Sequence, residues 1–122
     1  MLDCFIVGAG GFLGSVLRYL IGLLEVNTNT GFPIKTFLIN IFGAFVIGIV
    51  ASIASKNAIS PKLELFLKVG ICGGFTTFSS FALETEKLFE KGFKLTALAY
   101  VVLSILCGVF AVYLAEKIVI NN

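Results

Sequence analysis

The sequence predicts an all-α membrane protein with four transmembrane helices. Of its 122 residues, 58% are hydrophobic and 13% are charged, and the mean hydropathy is +1.06. Soluble domains contain about 25% charged residues, so this chain is too apolar to be one of them. Its apolar residues form four runs, each long enough to cross a hydrocarbon core of about 30 Å as a helix. One four-helix domain over residues 1–122 is therefore expected, with spans at about 4–24, 36–55, 63–83 and 95–115.

The first span, residues 4–24, is apolar except for Arg18. A secretory signal peptide would have a basic start and a shorter apolar core, whereas this chain begins Met-Leu-Asp. Residues at four-residue spacing share one helix face, and this face carries Gly10, Gly14, Arg18 and Gly22. A charged residue inside a span normally faces a polar cavity or a partner. Arg18 therefore either lines a polar vestibule or extends its long side chain to the membrane surface.

The second span, residues 36–55, follows Pro33, whose missing N–H costs little at the start of a helix. Its polar and small residues also recur every four positions, as Asn40, Ala44, Gly48 and Ser52. Small residues let membrane helices approach closely, and an amide side chain forms interhelical hydrogen bonds. Most of this face is interpreted as packing, and Asn40 is the candidate functional residue on it.

The third span, residues 63–83, contains Gly73-Gly-Phe-Thr-Thr77, which is a poor helical sequence. Glycine loses much entropy in a helix, and threonine hydroxyls compete for backbone hydrogen bonds. We therefore predict that this helix is broken at 73–77, near the bilayer midplane. Broken helices persist in membranes only where protein or water surrounds them, and their free carbonyls serve channels and transporters as ion sites. The alternative is a helix that is merely kinked for packing.

The fourth span, residues 95–115, carries Tyr100, Ser104 and Gly108 on one face, and residues 84–94 before it are an amphiphilic extension. The acidic residues all lie at or beyond the predicted span ends. They are Asp3, Glu25, Glu64, Glu84, Glu86, Glu90 and Glu116. A small proton-coupled multidrug exporter with four spans and dual topology would need an ionisable carboxylate deep in a helix. The sequence therefore gives this alternative no proton carrier.

Lysines near the span ends are divided equally between the two sides of a four-span topology. One side carries Lys56, Lys62, Lys68 and Lys117, and the other carries Lys35, Lys87, Lys91 and Lys94. Positive residues near span ends normally decide which side stays in the cytoplasm. Equal numbers predict a weak orientation preference or insertion in both orientations, which would allow an antiparallel dimer, although a short chain can also reach equal numbers by chance.

Other function classes lack their usual sequence features. A net charge of +2 with scattered basic residues provides no nucleic-acid footprint, and histidine, the commonest metal ligand, is absent. Cys4, Cys72 and Cys107 lie far apart in apolar runs and are interpreted as small hydrophobic residues.

The glycines of 8–14 resemble a dinucleotide-binding turn, but the acidic residue and α/β context that such a turn requires are missing. No nucleophile–base pair or carboxylate dyad indicates an enzyme, whereas a purely structural membrane subunit would leave Arg18 and the glycine–threonine stretch unexplained.

Three blocks, in this order and spacing, resemble the Fluc (CrcB) family of fluoride channels. They are Gly10-Gly-Phe-Leu-Gly-Ser-Val-Leu-Arg-Tyr19, Asn40-Ile-Phe-Gly-Ala-Phe-Val-Ile-Gly48 and Gly73-Gly-Phe-Thr-Thr-Phe-Ser-Ser-Phe81. The resemblance extends over essentially the whole chain. It implies an antiparallel, dual-topology homodimer in the plasma membrane of a prokaryote, with two fluoride pores and a central structural sodium ion. Its implied activity is passive, selective export of fluoride from the cytoplasm, which relieves fluoride toxicity.

The resemblance also implies roles for individual residues. Phe78 and Phe81 correspond to the paired phenylalanines that face the fluoride path. Asn40 corresponds to the asparagine near its entrance, and Arg18 to the vestibule arginine. The backbone carbonyls of Gly73 and Thr76 correspond to those that bind sodium.

A polar track on the fourth span is implied in the same way, at Tyr100 and Ser104. Many family members carry Ser or Thr one turn further on, where this chain has Gly108, and Ser80 stands where Thr is usual. Fluoride is strongly hydrated, so its path must offer donors that bind it only moderately. Phenylalanine ring edges are weakly positive and suit that purpose, and the hydroxyl and amide groups of Asn40, Thr77, Ser80, Tyr100 and Ser104 are the other candidate donors. Without the neighbouring break, two phenylalanines at this spacing would be interpreted as core packing.

Overall fold

Four long helices and their connections make up the whole molecule, and no strand is present. The computed structural model describes all residues 1–122. Each helix is long and apolar enough to cross a membrane, which confirms the predicted class. They are α1 (Leu2–Gly22), α2 (Ile34–Ser55), α3 (Pro61–Glu90) and α4 (Lys94–Ile120).

The third and fourth helices extend beyond the spans predicted from hydropathy. The amphiphilic stretch after residue 83 is helical as far as Glu90, because its Glu and Lys residues are good helix formers. Gly92, with φ +85°, then ends the helix, and the Phe93 N–H donates to the Leu88 carbonyl at 2.9 Å in a Schellman arrangement. Glu84, predicted to lie beyond the span, therefore lies within α3.

Helix α1 packs on the first part of α3 through facing glycines. A Cβ placed on Gly14 would overlap the Ile71 carbonyl oxygen and lie 2.8 Å from the Phe75 nitrogen. A Cβ on Gly10 would lie 2.9 Å from the Gly70 Cα, and one on Gly74 would lie 2.5 Å from the Gly11 carbonyl oxygen. The two backbones are therefore in direct contact, as small residues permit in membrane helices.

A second pair is formed by α2 and α4, which run parallel because they are alternate spans. A Cβ on Gly48 would lie 2.9 Å from the Ala115 Cβ and 3.0 Å from the Val112 carbonyl oxygen. Nearer the start of both helices, the Phe32 ring packs edge-on against Tyr100, with centroids 5.3 Å apart. The small-residue face predicted for α2 is therefore a packing face at Gly48.

Helix α3 changes character twice along its length. Residues Leu65–Cys72 are π-helical, which the sequence analysis did not anticipate. Helical structure stops at Phe75 and resumes at Phe78. Between them Thr76 (φ −76°, ψ 155°) and Thr77 (φ −148°, ψ 114°) are extended, and we call them the extended pair. The predicted location of this interruption at the bilayer midplane stays a prediction.

The extended pair lets α3 exchange one packing partner for another. Before it, Gly70 and Gly74 contact α1. After it, Phe81 packs against Tyr100 of α4, with ring centroids 5.1 Å apart, and Leu88 is buried with Ala97 and Tyr100. The extended pair is thus the point at which α3 connects the two helix pairs.

The glycine contact between α1 and α3 leads to a stability prediction. Gly14→Ala should be less stable than Gly11→Ala, since a Cβ at Gly14 meets backbone atoms whereas one at Gly11 meets nothing within 4 Å. Both changes gain the same helix propensity, so the difference isolates overpacking, which typically costs about 1–3 kcal/mol. The measurement is the free energy of unfolding in mixed micelles, followed by circular dichroism. Equal stabilities would contradict the close contact.

Candidate functional site

A groove of about 380 Å³ lies beside the extended pair, between α2, α3 and α4. Its lining includes six residues that the sequence analysis singled out, namely Asn40, Thr76, Thr77, Phe78, Phe81 and Ser104. These residues come from three helices and are far apart in the sequence. Folding thus brings most of the candidate residues to one place.

The side-chain amide of Asn40 makes two hydrogen bonds to the backbone of Thr77, one through its nitrogen and one through its oxygen. Its Nδ2 donates to the Thr77 carbonyl at 3.1 Å, and its Oδ1 accepts from the Thr77 N–H at 2.8 Å. In a continuous helix that N–H would donate to the carbonyl of Gly73. Asn40 therefore replaces helical hydrogen bonds that the extended pair has lost, and only one of its amide hydrogens is left for the groove.

The two threonines of the extended pair end one helical segment and begin the next. The Thr76 hydroxyl and N–H both donate to the Cys72 carbonyl, at 2.8 Å and 3.0 Å. The Thr77 hydroxyl oxygen accepts from the Ser80 N–H at 3.2 Å, which caps the helix beginning at Phe78. The Thr77 hydroxyl also donates to Ser80 Oγ at 3.0 Å, so its proton is not available to the groove.

The two phenylalanines have different surroundings. Their ring centroids are 5.7 Å apart with the planes inclined at 46°. Phe81 packs on Tyr100, whereas the Phe78 side chain is 79% exposed in the single chain. One wall of the groove is therefore fixed by packing, and the other has no neighbour within the chain.

Ser104 carries the one buried side-chain oxygen in the structure without a hydrogen-bond partner. It lies on α4 and lines the groove opposite Asn40 and Thr77. An unsatisfied buried hydroxyl typically costs about 1–3 kcal/mol, so it needs an explanation such as a bound ligand or water. One turn further on, a Cβ at Gly108 would meet nothing closer than Ile41 Cδ1 at 3.9 Å, so the missing hydroxyl leaves space there.

Tyr100 faces an acid and does not line the groove. Its hydroxyl donates to Glu84 Oε2 at 2.8 Å, and the Thr36 hydroxyl donates to Glu84 Oε1 at 2.6 Å. The Tyr100 side chain is completely buried. Its proton is therefore held by Glu84, and the predicted role of Tyr100 as a donor in the path requires that this bond be exchanged.

Arg18 contacts α3 just before the extended pair. Its Nε donates to the Gly74 carbonyl at 3.1 Å, and the guanidinium is half-buried. A continued helix would pair that carbonyl with the Phe78 N–H. Arg18 therefore supplies a donor to the end of a helical segment, a role that the vestibule assignment did not include.

The carbonyls of Gly73 and Thr76 are implied as sodium ligands. Neither of them accepts a hydrogen bond from Arg18 or Asn40. The N–H that would pair with the Gly73 carbonyl is bound by Asn40 Oδ1, and the Thr76 carbonyl accepts no hydrogen bond. Hard cations are bound by such oxygen ligands. The two carbonyls therefore have the chemistry of ligands for a hard cation.

Sequence reasoning missed two members of the polar network, Thr36 and Glu84. Thr36 lies one turn before Asn40 on the same face of α2, so the four-residue periodicity could have indicated it. Glu84 was assigned to the end of a span, and it lies one turn after Phe81 on α3. A carboxylate one turn from a candidate aromatic residue is the signal that could have identified it.

The molecule is similar in sequence to a known set of membrane proteins. The family described as CrcB-like protein, Camphor Resistance (CrcB), matches residues 5–116. The Fluoride-specific ion channel FluC of Chlorobaculum tepidum is 44% identical over 114 residues, which cover 93% of this chain and 90% of that protein. The protein of the same name from Shewanella piezotolerans is 36% identical over 123 residues, 100% of this chain and 99% of that protein. Since the family model matches residues 5–116 and both relatives match nearly the whole sequence, the chain belongs to the CrcB-like family.

Proposed function

We propose that this protein is a passive, selective fluoride channel that exports fluoride from the cytoplasm and so relieves fluoride toxicity. It acts in the plasma membrane of a prokaryote, as an antiparallel homodimer with two pores and a central structural sodium ion. Its membership of the CrcB-like family and its identity of 44% to Fluoride-specific ion channel FluC of Chlorobaculum tepidum support the substrate.

The observation that carries this proposal is the unpaired Ser104 hydroxyl in a groove walled by phenylalanine. A free hydroxyl proton can donate to an anion at no cost in protein hydrogen bonds. The edges of Phe78 and Phe81 are weakly positive, so they stabilise an anion without holding it tightly. Together they replace part of the hydration shell of fluoride and still allow its release.

Charged groups lie on either side of this path. Arg18 raises the local concentration of anions near the groove, whereas the negative charge of the Glu84 carboxylate repels them. The Thr36 and Tyr100 hydroxyls both donate to that carboxylate, which spreads its charge. Glu84 is also the one group that would suit the alternative of a proton-coupled exporter, so the transport assay must separate passive from coupled movement.

The sodium ion is assigned to the carbonyls of Gly73 and Thr76, with the extended pair near the bilayer midplane. When bound there, the ion adds positive potential for an anion and links the two subunits. The available carbonyl oxygens support this assignment, as described above. The ion is structural and takes no part in a transport cycle.

The homodimer is supported by the open side of the groove. A fluoride path must exclude bulk water and lipid, yet Phe78 is 79% exposed in one chain. A second chain is needed to close that side. The equal numbers of lysines on the two sides allow the partner to insert in the opposite orientation.

Three of those lysines also have structural partners. Lys35 Nζ donates to the Gly22 carbonyl at 2.8 Å and to the Leu24 carbonyl at 3.1 Å, at the end of α1. Lys56 donates to the Val119 carbonyl near the end of α4, and Lys68 pairs with Glu64. Orientation depends on the lysines themselves, whether or not they are hydrogen-bonded, so these contacts leave the numbers on the two sides equal.

Phe78→Ile should slow fluoride efflux roughly tenfold or more, because an aliphatic side chain of similar size lacks the positive ring edge. Efflux is measured with a fluoride electrode from liposomes loaded with fluoride, with valinomycin and potassium as a shunt for charge. Phe5→Ile is the matched control, since Phe5 is also exposed but lies at the start of α1.

The parent protein should pass fluoride rapidly and chloride negligibly in this assay. Fluoride efflux that appears only with a proton gradient would indicate a coupled exporter. Folded, dimeric protein that moves no fluoride would refute the channel.

Ser104→Ala should lower fluoride efflux roughly tenfold while leaving the free energy of unfolding unchanged or higher. The physical reason is that the substitution removes a hydroxyl with no protein partner. Ser55→Ala is the control, because the Ser55 hydroxyl donates to the Ser52 carbonyl at 2.7 Å. That variant should lose some stability and keep its efflux. Parallel loss of stability and efflux in Ser104→Ala would indicate a structural role only.

If the protein inserts in both orientations, a thiol at its C-terminal end should be accessible from outside the cell in half of the molecules. Asn122→Cys, in a background with Cys4, Cys72 and Cys107 changed to alanine, places one thiol at the exposed chain end. A membrane-impermeant thiol reagent should label about half of the protein in intact spheroplasts, as equal charge numbers imply, and the remainder after permeabilisation. Complete labelling, or none, in intact spheroplasts would exclude dual topology.

A further inference from the structure

The carbonyl oxygens around the extended pair are divided into two sets by side chains from α1 and α2. The Gly74 carbonyl is bound by Arg18, and the Thr77 carbonyl is bound by Asn40. The carbonyls of Gly73 and Thr76 are not bound in this way. Each of the two unbound carbonyls is therefore followed in the chain by a carbonyl that a side chain binds.

We propose that Arg18 and Asn40 are positioning residues that determine which backbone carbonyls are available to a cation. This inference rests on the proposed function, because it takes sodium as the cation. It assigns to both side chains a role separate from contact with the anion. Arg18 acts through Gly74, and Asn40 acts through Thr77.

The backbone of α1 next to Arg18 is held close to α3. It lies one turn after Gly14, which packs so closely on the backbone of α3 at Ile71 and Phe75 that a side chain would not fit there. This close packing of the two backbones places Arg18 Nε within hydrogen-bond distance of the Gly74 carbonyl. A hydrogen bond from a charged donor is stronger than one from a neutral donor, so it favours one orientation of that peptide group.

Asn40 fixes the two peptide groups that flank the Cα of Thr77, and the first of them also contains the Thr76 carbonyl. It contacts both the N–H and the carbonyl of Thr77, because a side-chain amide can donate and accept at the same time. A Cβ on Gly43, the next small residue of α2, would overlap Thr76 Cγ2. The extended pair is therefore held against α2 at both of its residues.

Electrostatics alone and the positioning role predict opposite changes in sodium affinity when these two residues are substituted. The positive charge of Arg18 repels a cation, so its removal should strengthen sodium binding if charge were its only contribution. Replacing Asn40 by aspartate adds a negative charge and should also strengthen it. A positioning role predicts that both changes weaken sodium binding, because the carbonyl released in each case disturbs the ligand set. The sign of the effect therefore separates the two explanations.

The test measures sodium binding without measuring conduction. The thermal unfolding midpoint of the purified dimer is recorded against sodium concentration, with N-methylglucamine keeping the ionic strength constant, since a ligand of the folded state raises its stability. Arg18→Ala and Asn40→Asp should each raise the half-saturating sodium concentration by roughly 10-fold to 100-fold, the usual effect of losing a group that orients a ligand. Arg18→Lys, which keeps a donor and the charge, should recover part of the loss.

Ser15→Ala is the matched control on α1, because the Ser15 hydroxyl donates only to the Phe12 carbonyl of its own helix. It should bind sodium like the parent. Tighter or unchanged sodium binding in Arg18→Ala and Asn40→Asp would overturn the positioning role. If Arg18→Ala does not fold, Arg18→Lys and Asn40→Asp still decide the question. A parent protein without any sodium effect would overturn this inference and the sodium assignment, whereas the efflux assay tests the fluoride channel separately.

Discussion

The need to satisfy backbone hydrogen bonds around two extended residues governs the rest of this structure. Within a membrane, an unpaired N–H or carbonyl costs several kcal/mol, so a helix interrupted at Thr76 and Thr77 requires replacement partners. The chain supplies them from three directions. Arg18 comes from α1, Asn40 comes from α2, and the Thr77 hydroxyl caps the helix that follows. Each helix therefore contributes to the interruption in α3 or packs against it.

Close packing makes those replacement bonds possible. The glycines of α1 and α3 bring the two backbones into contact, so that a side chain on α1 reaches a carbonyl of α3. Gly43 likewise gives Thr76 space against α2. The extended pair then redirects α3 onto α4, where Phe81 meets Tyr100. The same two residues thus join the helix pairs and form one wall of the groove.

The polar side chains near the groove are divided between structure and transport. Asn40, Thr77 and Tyr100 were all candidate donors to an anion, yet their hydrogen bonds go largely to the protein. Ser104 alone keeps a buried hydroxyl without a partner. A path with few free donors and two aromatic edges suits an anion that must be released as readily as it is bound. The sites proposed for the anion and for the cation therefore share one interruption but use different atoms of it.

The sequence by itself determined the class, the four spans, the family and most of the residues at the site. Hydropathy and helical periodicity are local properties, and the glycine–threonine segment signals a weak helix without reference to the rest of the chain. The tertiary structure alone decided the partners of the polar groups. Nothing local indicates that Arg18 meets Gly74, that Asn40 binds both the N–H and the carbonyl of Thr77, or that Glu84 accepts hydrogen bonds from Thr36 and Tyr100. The π-helical segment was equally unpredictable. Hydrogen bonds between residues distant in sequence depend on how the helices pack, and that packing is set by contacts along whole helix faces.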